Sequence, residues 1–265
     1  MIEGGGLTMK NLISVLDFDQ VYHPQTYFKN TNYQWINLLD VEHTNSYCEE
    51  EALLSIKDRL KQRKNRGVTF IGSGNYHYVT YLLMAEIQSP FTLVLFDHHT
   101  DMMSAPSDSI LTCGSWVMRS LEFLSMLKKV IIIGTRDDLT ETIPADLNRK
   151  VSVVSEEQVG SSRIEEYVKS SIETKNVYVS IDKDVLNQSE ALTNWDQGNM
   201  RLSQIFSLME QIAINKRICG VDVCGEYPYN AAERFSYENC QAIRVNDRTN
   251  SKILKEISQL GLQVV

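Results

Sequence analysis

The stretch Leu95-Phe96-Asp97-His98-His99-Thr100-Asp101 follows the apolar run Phe91–Val94 and sets carboxylates and imidazoles almost side by side. Side chains alternate along extended chain, so Asp97, His99 and Asp101 point one way while His98 and Thr100 point the other. Three more stretches carry comparable chemistry: Gly72-Ser73-Gly74-Asn75-Tyr76-His77, Ser180-Ile181-Asp182-Lys183-Asp184, and Gly220 to Glu226. Carboxylates and imidazoles gathered on one rim repel, and buried carboxylates take up protons unless a cation neutralises them. Asp97, His99 and Asp101 therefore read as ligands of a bound metal pair, completed by His77, Asp182 and Asp184. This donor set is hard and oxygen-rich and needs no thiol. Mn2+, two ions per chain, is the expected cofactor, with zinc, iron, cobalt or nickel as the other divalent ions such donors accept. Two ions roughly 3.5–4 Å apart can share a water and lower its pKa toward neutrality, which makes a nucleophile available at physiological pH.

The elements that must position these groups alternate along the chain. Short β-branched runs at 12–18, 34–41, 68–73, 91–97, 129–135, 151–155, 176–182 and 217–223 read as strands. Several are apolar on both parities, as in a parallel sheet covered on both faces, and helical patterns at 47–64, 163–174, 202–213 and 250–260 supply the cover. The expected fold is a three-layer α/β domain with a mainly parallel sheet of about eight strands. Ligands of open parallel sheets bind beyond the carboxyl ends of the strands, which is where the four polar stretches fall. Lys183 has the opposite parity to Asp182 and Asp184, so it should turn away from the metals, toward a carboxylate behind them.

The chain has 265 residues, 43% of them hydrophobic, enough for one large α/β domain. The expectation is a flexible leader at 1–10, containing Gly4-Gly5-Gly6 and an alternative start at Met9, followed by a single domain at 11–265. A formal charge of −8 and the lack of a basic cluster argue against a nucleic-acid partner. No membrane-spanning run or signal segment is present in the sequence, and the five scattered cysteines suit a reducing compartment, so a cytoplasmic protein acting on a small molecule is expected.

The ordered motifs resemble those of the arginase/agmatinase/formiminoglutamase (ureohydrolase) family: a glycine-rich segment ending in His77, then Asp97-x-His99-x-Asp101, then Ser180-x-Asp182-x-Asp184, then Asp222 followed closely by Glu226. The resemblance implies an α/β/α sandwich shared with histone deacetylases, and a homo-oligomer. By position, Asp97 and Asp182 resemble the bridging carboxylates, His77 and Asp101 the ligands of one ion, and His99 and Asp184 those of the other. Asp101 also resembles the residue that accepts a proton from the bridging water, and Glu226 the one that holds the substrate. The activity implied is hydrolysis of a C–N bond other than a peptide bond in a guanidino, amidino or formimino compound. Three departures concern substrate. Cys113 precedes Gly114 where arginases and agmatinases carry a proton-shuttling His, as some formiminoglutamase-like members also do not. Counted from Asp222 without a gap, Gly225 rather than Glu226 takes the guanidinium-holding position, and a one-residue bulge would be needed to restore Glu226. Asn187 stands where Asp-Pro is usual.

Plainer roles fit other residues. His98 reads as a packing residue, His23 and His43 as loop histidines, and Cys113 as a small buried side chain rather than a nucleophile. Thr112 and Ser115 either line the pocket or cap the following helix, and Trp195 is either a pocket wall or a packed tryptophan. Two alternatives of different kind remain. A DHH-type metal-dependent phosphoesterase would use Asp17, Asp19, Asp97, His98 and His99, but leaves Asp101, Asp182 and Asp184 without a role. A non-catalytic metal-binding relative would keep the ligands and lack turnover.

Overall fold

The computed structural model describes residues 13–64, 66–228, 232 and 235–260. The expected leader at 1–10 lies outside the described residues. Strands β1 (Ile13–Asp17), β2 (Tyr33–Asn37), β3 (Tyr47–Glu49), β4 (Val68–Phe70), β5 (Phe91–Phe96), β6 (Ile110–Thr112), β7 (Leu127–Thr135), β8 (Val151–Ser155), β9 (Asn176–Asp182) and β10 (Arg217–Cys224) alternate with helices α1 (Glu50–Leu60), α2 (Val79–Met84), α3 (Trp116–Phe123), α4 (Ile164–Ser171), α5 (Leu202–Asn215) and α6 (Tyr237–Gln259). Eight strands form one sheet in the order β2-β1-β4-β10-β9-β5-β7-β8, and every pairing in it is parallel.

The two parities of the central strands feed two cores. Val94 and Phe96 of β5, Val177, Val179 and Ile181 of β9, and Val221 and Val223 of β10 pack with residues of α4, α5 and α6. Leu93 and Leu95 of β5 and Tyr178 of β9 pack on the other side with residues of α1, α2 and α3. Burial on both faces explains why these strands are nearly continuous apolar runs. It makes the domain a three-layer α/β/α sandwich, as the periodicity predicts. The eight expected strands are all present. The remaining strands, β3 and β6, form a separate antiparallel pair, and β3 takes the first residues of the helical pattern expected from 47 onward.

The strands that carry the polar stretches, β4, β10, β9 and β5, are neighbours at the centre of the sheet. Their carboxyl ends therefore open onto one place although residues 77 to 226 separate them in sequence. Ser180 pairs with Asp222 in register, and Asp182 with Cys224. Ser180 and Asp182 have the parity of Tyr178, which points their side chains to the α1–α3 side, while Lys183 has the parity of Ile181.

Candidate metal centre

His77 sits just beyond a short 3-10 turn (Gly74–Tyr76) after β4, with its ring buried. Its Nδ1 lies 3.4 Å from Asp97 Oδ2, 3.2 Å from Asp101 Oδ2 and 3.3 Å from Asp182 Oδ2. His99 Nδ1 lies 2.9 Å from Asp184 Oδ2 and 3.5 Å from Asp97 Oδ1. All six residues expected as ligands thus meet at one centre. Asp97 directs one oxygen to each imidazole, the disposition of a bridging carboxylate. Asp182 turns one oxygen to His77, and its other accepts the Asp184 backbone N–H at 3.0 Å, as Asp97 Oδ1 accepts that of His99 at 2.7 Å.

Both imidazoles are held so that Nδ1 faces the carboxylates. His77 Nε2 is 2.9 Å from Ser180 Oγ, whose hydroxyl donates to Asp222 Oδ1 at 2.7 Å. Because the Ser180 proton goes to Asp222, its oxygen accepts from His77 Nε2–H, and in the neutral ring Nδ1 keeps its lone pair for a ligand. His99 Nε2 is 3.0 Å from Asp196 Oδ1, and Asp196 Oδ2 accepts from Arg136 at 2.6 Å. An acceptor behind each ring is how proteins orient metal-binding histidines. Asp222 and Ser180 were legible as motif residues without this role; Asp196, on a loop between β9 and α5, was missed.

The electrostatics fit a cation. Burial opposes charge on His77, but Cys224, Asp101, Asp182 and Asp97 outweigh it and hold the imidazole well above its ordinary range. Burial likewise works against charged His99, and Asp184 and Asp97 override it upward. Burial pushes the Asp101 carboxyl up to about 6, reinforced by the Asp97 charge and offset by His77. Burial also raises Asp184 well above the carboxylate range, with Asp182 and Asp97 adding to it. Asp97 Oδ2 is buried without a hydrogen-bond partner among the described residues. Donors about 2.1 Å from a common ion stand about 3.0 Å apart at right angles and about 3.4 Å apart in a tetrahedron. The separations from His77 Nδ1 and His99 Nδ1 span this range, so the residues present fit divalent ions. Among the described residues three overlapping donor groups emerge: His77, Asp97 and Asp101; Asp97, His99 and Asp184; and His77, Asp182 and Cys224.

Asp101 is further fixed by the Trp116 indole N–H, which donates to its Oδ2 at 2.5 Å, and it adopts φ +50, a region that non-glycine residues seldom enter. Trp116 opens α3 and stacks at a tilt on His77, a role that spacing alone did not signal. Trp195 is a wall of the site: its ring meets His99 edge-on at 5.8 Å and its N–H donates to Asn75 Oδ1 at 3.0 Å. Burial, then Asp101, pushes the half-buried Cys113 thiol up to about 12, which disfavours a nucleophile. Ser115 Oγ accepts from Thr112 N and Oγ1, so although Ser115 occupies the N-cap position of α3 its side chain makes no capping hydrogen bond.

Beside the donors lies a separate buried pair. Lys183 Nζ contacts Glu226 Oε1 and reaches Asn250 Oδ1 at 3.2 Å, so it does turn to a carboxylate behind the ligands, and that carboxylate is Glu226. Glu226 also accepts from Gln25 at 2.8 Å and Asn250 at 2.7 Å. The irregularity in β10 falls between Ile218 and Gly220, ahead of Asp222, and Glu226 is drawn to Lys183. Position 225 keeps its place beside Asp182, with φ +84. Of the residues a phosphoesterase would need, Asp97 and His99 belong to this arrangement, whereas Asp17 and the His98 ring are engaged elsewhere. Asp17 is held by His23 at 2.9 Å and Trp35 at 3.2 Å, and the His98 ring lies against Gly134 O and packs next to Gly198.

Comparison with known proteins settles the lineage. The arginase family model matches residues 7–244. The chain belongs to the arginase family. An uncharacterised protein of Thermotoga maritima is 31% identical over 214 residues, 81% of this chain and 79% of that protein. The arginase of Bacillus caldovelox superposes with a TM-score of 0.63 at 17% identity, covering 96% of this chain and 99% of that one. A formiminoglutamase of Trypanosoma cruzi gives 0.64 at 11% identity, covering 96% and 94%. This arginase-family chain thus has the family's hydrolase fold with candidate metal-ligand groups at the sheet's carboxyl edge. No helix among its described residues is long and apolar enough to cross a membrane.

Proposed function

We propose that this protein is a binuclear-metal hydrolase of C–N bonds, other than peptide bonds, in an amidino or formimino small molecule. The observation that carries the reading is Asp97, whose two oxygens face the Nδ1 atoms of two differently anchored histidines. His77, Asp97, Asp101 and Asp182 would hold one ion and Asp97, His99 and Asp184 the other, with Mn2+ the expected occupant of an oxygen-rich set. When bound, the ions supply an activated water at neutral pH and a positive field for charge developing on the attacked carbon's substituents.

The chain's own residues do the rest. Ser180 and Asp222 keep His77 Nε2–H engaged, and Asp196 does the same for His99, so neither ring turns its protonated nitrogen to the centre. Asp101, gripped by Trp116, accepts a proton from the water and passes it to the departing amine. Glu226 was the candidate substrate holder. With its oxygens engaged by Lys183, Asn250 and Gln25, and glycine at 225, neither position offers a free carboxylate to a guanidinium. Together with Cys113 in place of the usual proton-shuttling His, this favours a formimino substrate over a guanidino one, and Glu226 then acts by keeping Lys183 neutralised.

The test is metal analysis of the purified protein, followed by a screen for released ammonia, formamide or urea. Two ions per chain and turnover of a formimino or amidino compound are expected. Asp97→Asn should lose metal and activity together, while His98→Ala keeps the metal. Full metal content in the Asp97→Asn protein would refute the ligand assignment, and urea release from guanidino compounds alone would refute the substrate class.

A further inference from the structure

Cys224 was not needed by the donor set read from the sequence, yet it stands at the same centre. It ends β10 directly opposite Asp182, is fully buried, and its thiol donates to Asp182 Oδ2 at 3.1 Å, a proton that metal ligation would displace. That oxygen is the one that faces His77 Nδ1 at 3.3 Å, and the donor atoms of His77, Asp182 and Cys224 lie within 4.8 Å of one another. A buried cysteine is ordinarily a small apolar side chain. Here the sulfur addresses a carboxylate oxygen that is itself a candidate ligand. With a sulfur donor about 2.3 Å and an oxygen donor about 2.1 Å from a shared ion, their separation is about 3.1 Å at right angles. Independently, Asp97 Oδ2 is buried without a hydrogen-bond partner and aimed at the same His77 nitrogen, which marks this side of the centre as ligand-seeking.

We propose that Cys224 supplies a sulfur ligand to the ion beside His77, making the two metal positions chemically unlike. This rests on the metal-pair reading above. The position beside His99 draws on Asp97 and Asp184 and has only nitrogen and oxygen donors. The position beside His77 gains a soft donor, which shifts its preference from manganese toward zinc, iron or cobalt. The protein would then hold a mixed pair when both kinds of ion are offered.

The test uses the full chain, freed of metal by chelation and titrated anaerobically with Co2+, whose spectrum reports thiolate ligation. Two cobalt ions per chain are expected, with a near-ultraviolet thiolate-to-cobalt charge-transfer band that develops with one of them. Cys224→Ser should lose the band and bind one cobalt about tenfold or more weakly, with circular dichroism confirming the fold. Cys113→Ser, which changes the other cysteine near the centre, should keep the band. Two bound cobalt ions with visible d–d absorption but no thiolate band would overturn the Cys224 assignment and leave the metal pair standing. A band that survives in Cys224→Ser would overturn it equally. Failure of the folded protein to bind cobalt at all would remove the metal-pair reading, and this inference with it.

Discussion

Gly225→Ala probes how tightly the strand end is built around the donors. Gly225 has φ +84, and a Cβ there would run into Asp182 Oδ1 and lie 2.6 Å from the Lys183 amide nitrogen and 3.0 Å from Lys183 Cβ. The left-handed conformation costs a non-glycine residue about 1–2 kcal/mol. Forcing one extra carbon into a close-packed site costs about 1–3 kcal/mol more. The sum, about 2–5 kcal/mol, is a large share of the roughly 5–15 kcal/mol that holds a domain together. Urea unfolding in the presence of chelator should show this loss as a lower midpoint at unchanged slope. With metal present the loss should grow, because the clash displaces Asp182, and metal affinity should fall by about 10–100-fold. A Gly225→Ala protein within about 0.5 kcal/mol of the parent and with full metal content would refute the packing argument. It would also reopen position 225 to a substrate-holding carboxylate.

Other consequences follow from particular groups. Burial, with lesser help from the Asp17 and Glu226 charges and against the Val21 N–H, raises the Asp19 carboxyl from 3.8 to about 7. The folded state then keeps a proton that the unfolded chain releases, so this group's contribution is fully present below pH about 4 and is lost as pH rises to about 7. The ceiling is about 4 kcal/mol, and Asp19→Asn should flatten the fall in urea stability between pH 5 and 8; parallel curves would refute it. Lys183→Ala strands the buried Glu226 charge and should cost about 3–5 kcal/mol, much of it recovered when Glu226→Gln is added; additive losses would count against the pair. Asp196→Asn removes the anionic acceptor behind His99 and should weaken one metal ion about tenfold by calorimetric titration without changing the melting of the chelated protein. An unchanged affinity would mean that His99 needs no such support.

How much of this was legible in the sequence depends on whether the signal was local. The strands were, because a sheet covered on both faces demands unbroken apolar runs, and the helices α4 and α5 were, because their apolar stripes keep a helical period. Helix α6 begins at Tyr237, well before the pattern expected from 250, because its buried face is polar. Asn246 bonds the backbone of Leu192, Thr249 that of Glu190, and Asn250 reaches Gln25 and Glu226. Such residues look solvated in a periodicity count, and only long-range partners make them core. The β3–β6 pair was hidden for a related reason: it joins Tyr47–Glu49 to Ile110–Thr112, and each segment is too short to announce a strand alone.

The same division runs through the site. The six candidate donors were readable because parity and burial act within each strand end, and the centre of a parallel sheet brings those ends together. The groups that orient them were not, since Asp196 and Trp116 arrive from a loop and a helix whose directions are set by tertiary packing. Cys224 lay between these cases. It shares the parity of Asp222, two residues before it, and that alternation would have aimed it at the donors had a hard ligand set not made a thiol look superfluous. Glu226 is a different case. Its distance from Asp222 along the chain invited a bulge, whereas the pairing of β10 with β9 shifts register upstream, between Ile218 and Gly220, and the Lys183 ammonium captures the carboxylate. A side chain at 225 would meet Asp182 and Lys183, so the close packing of this strand end, which no local pattern announces, decides what that position can hold.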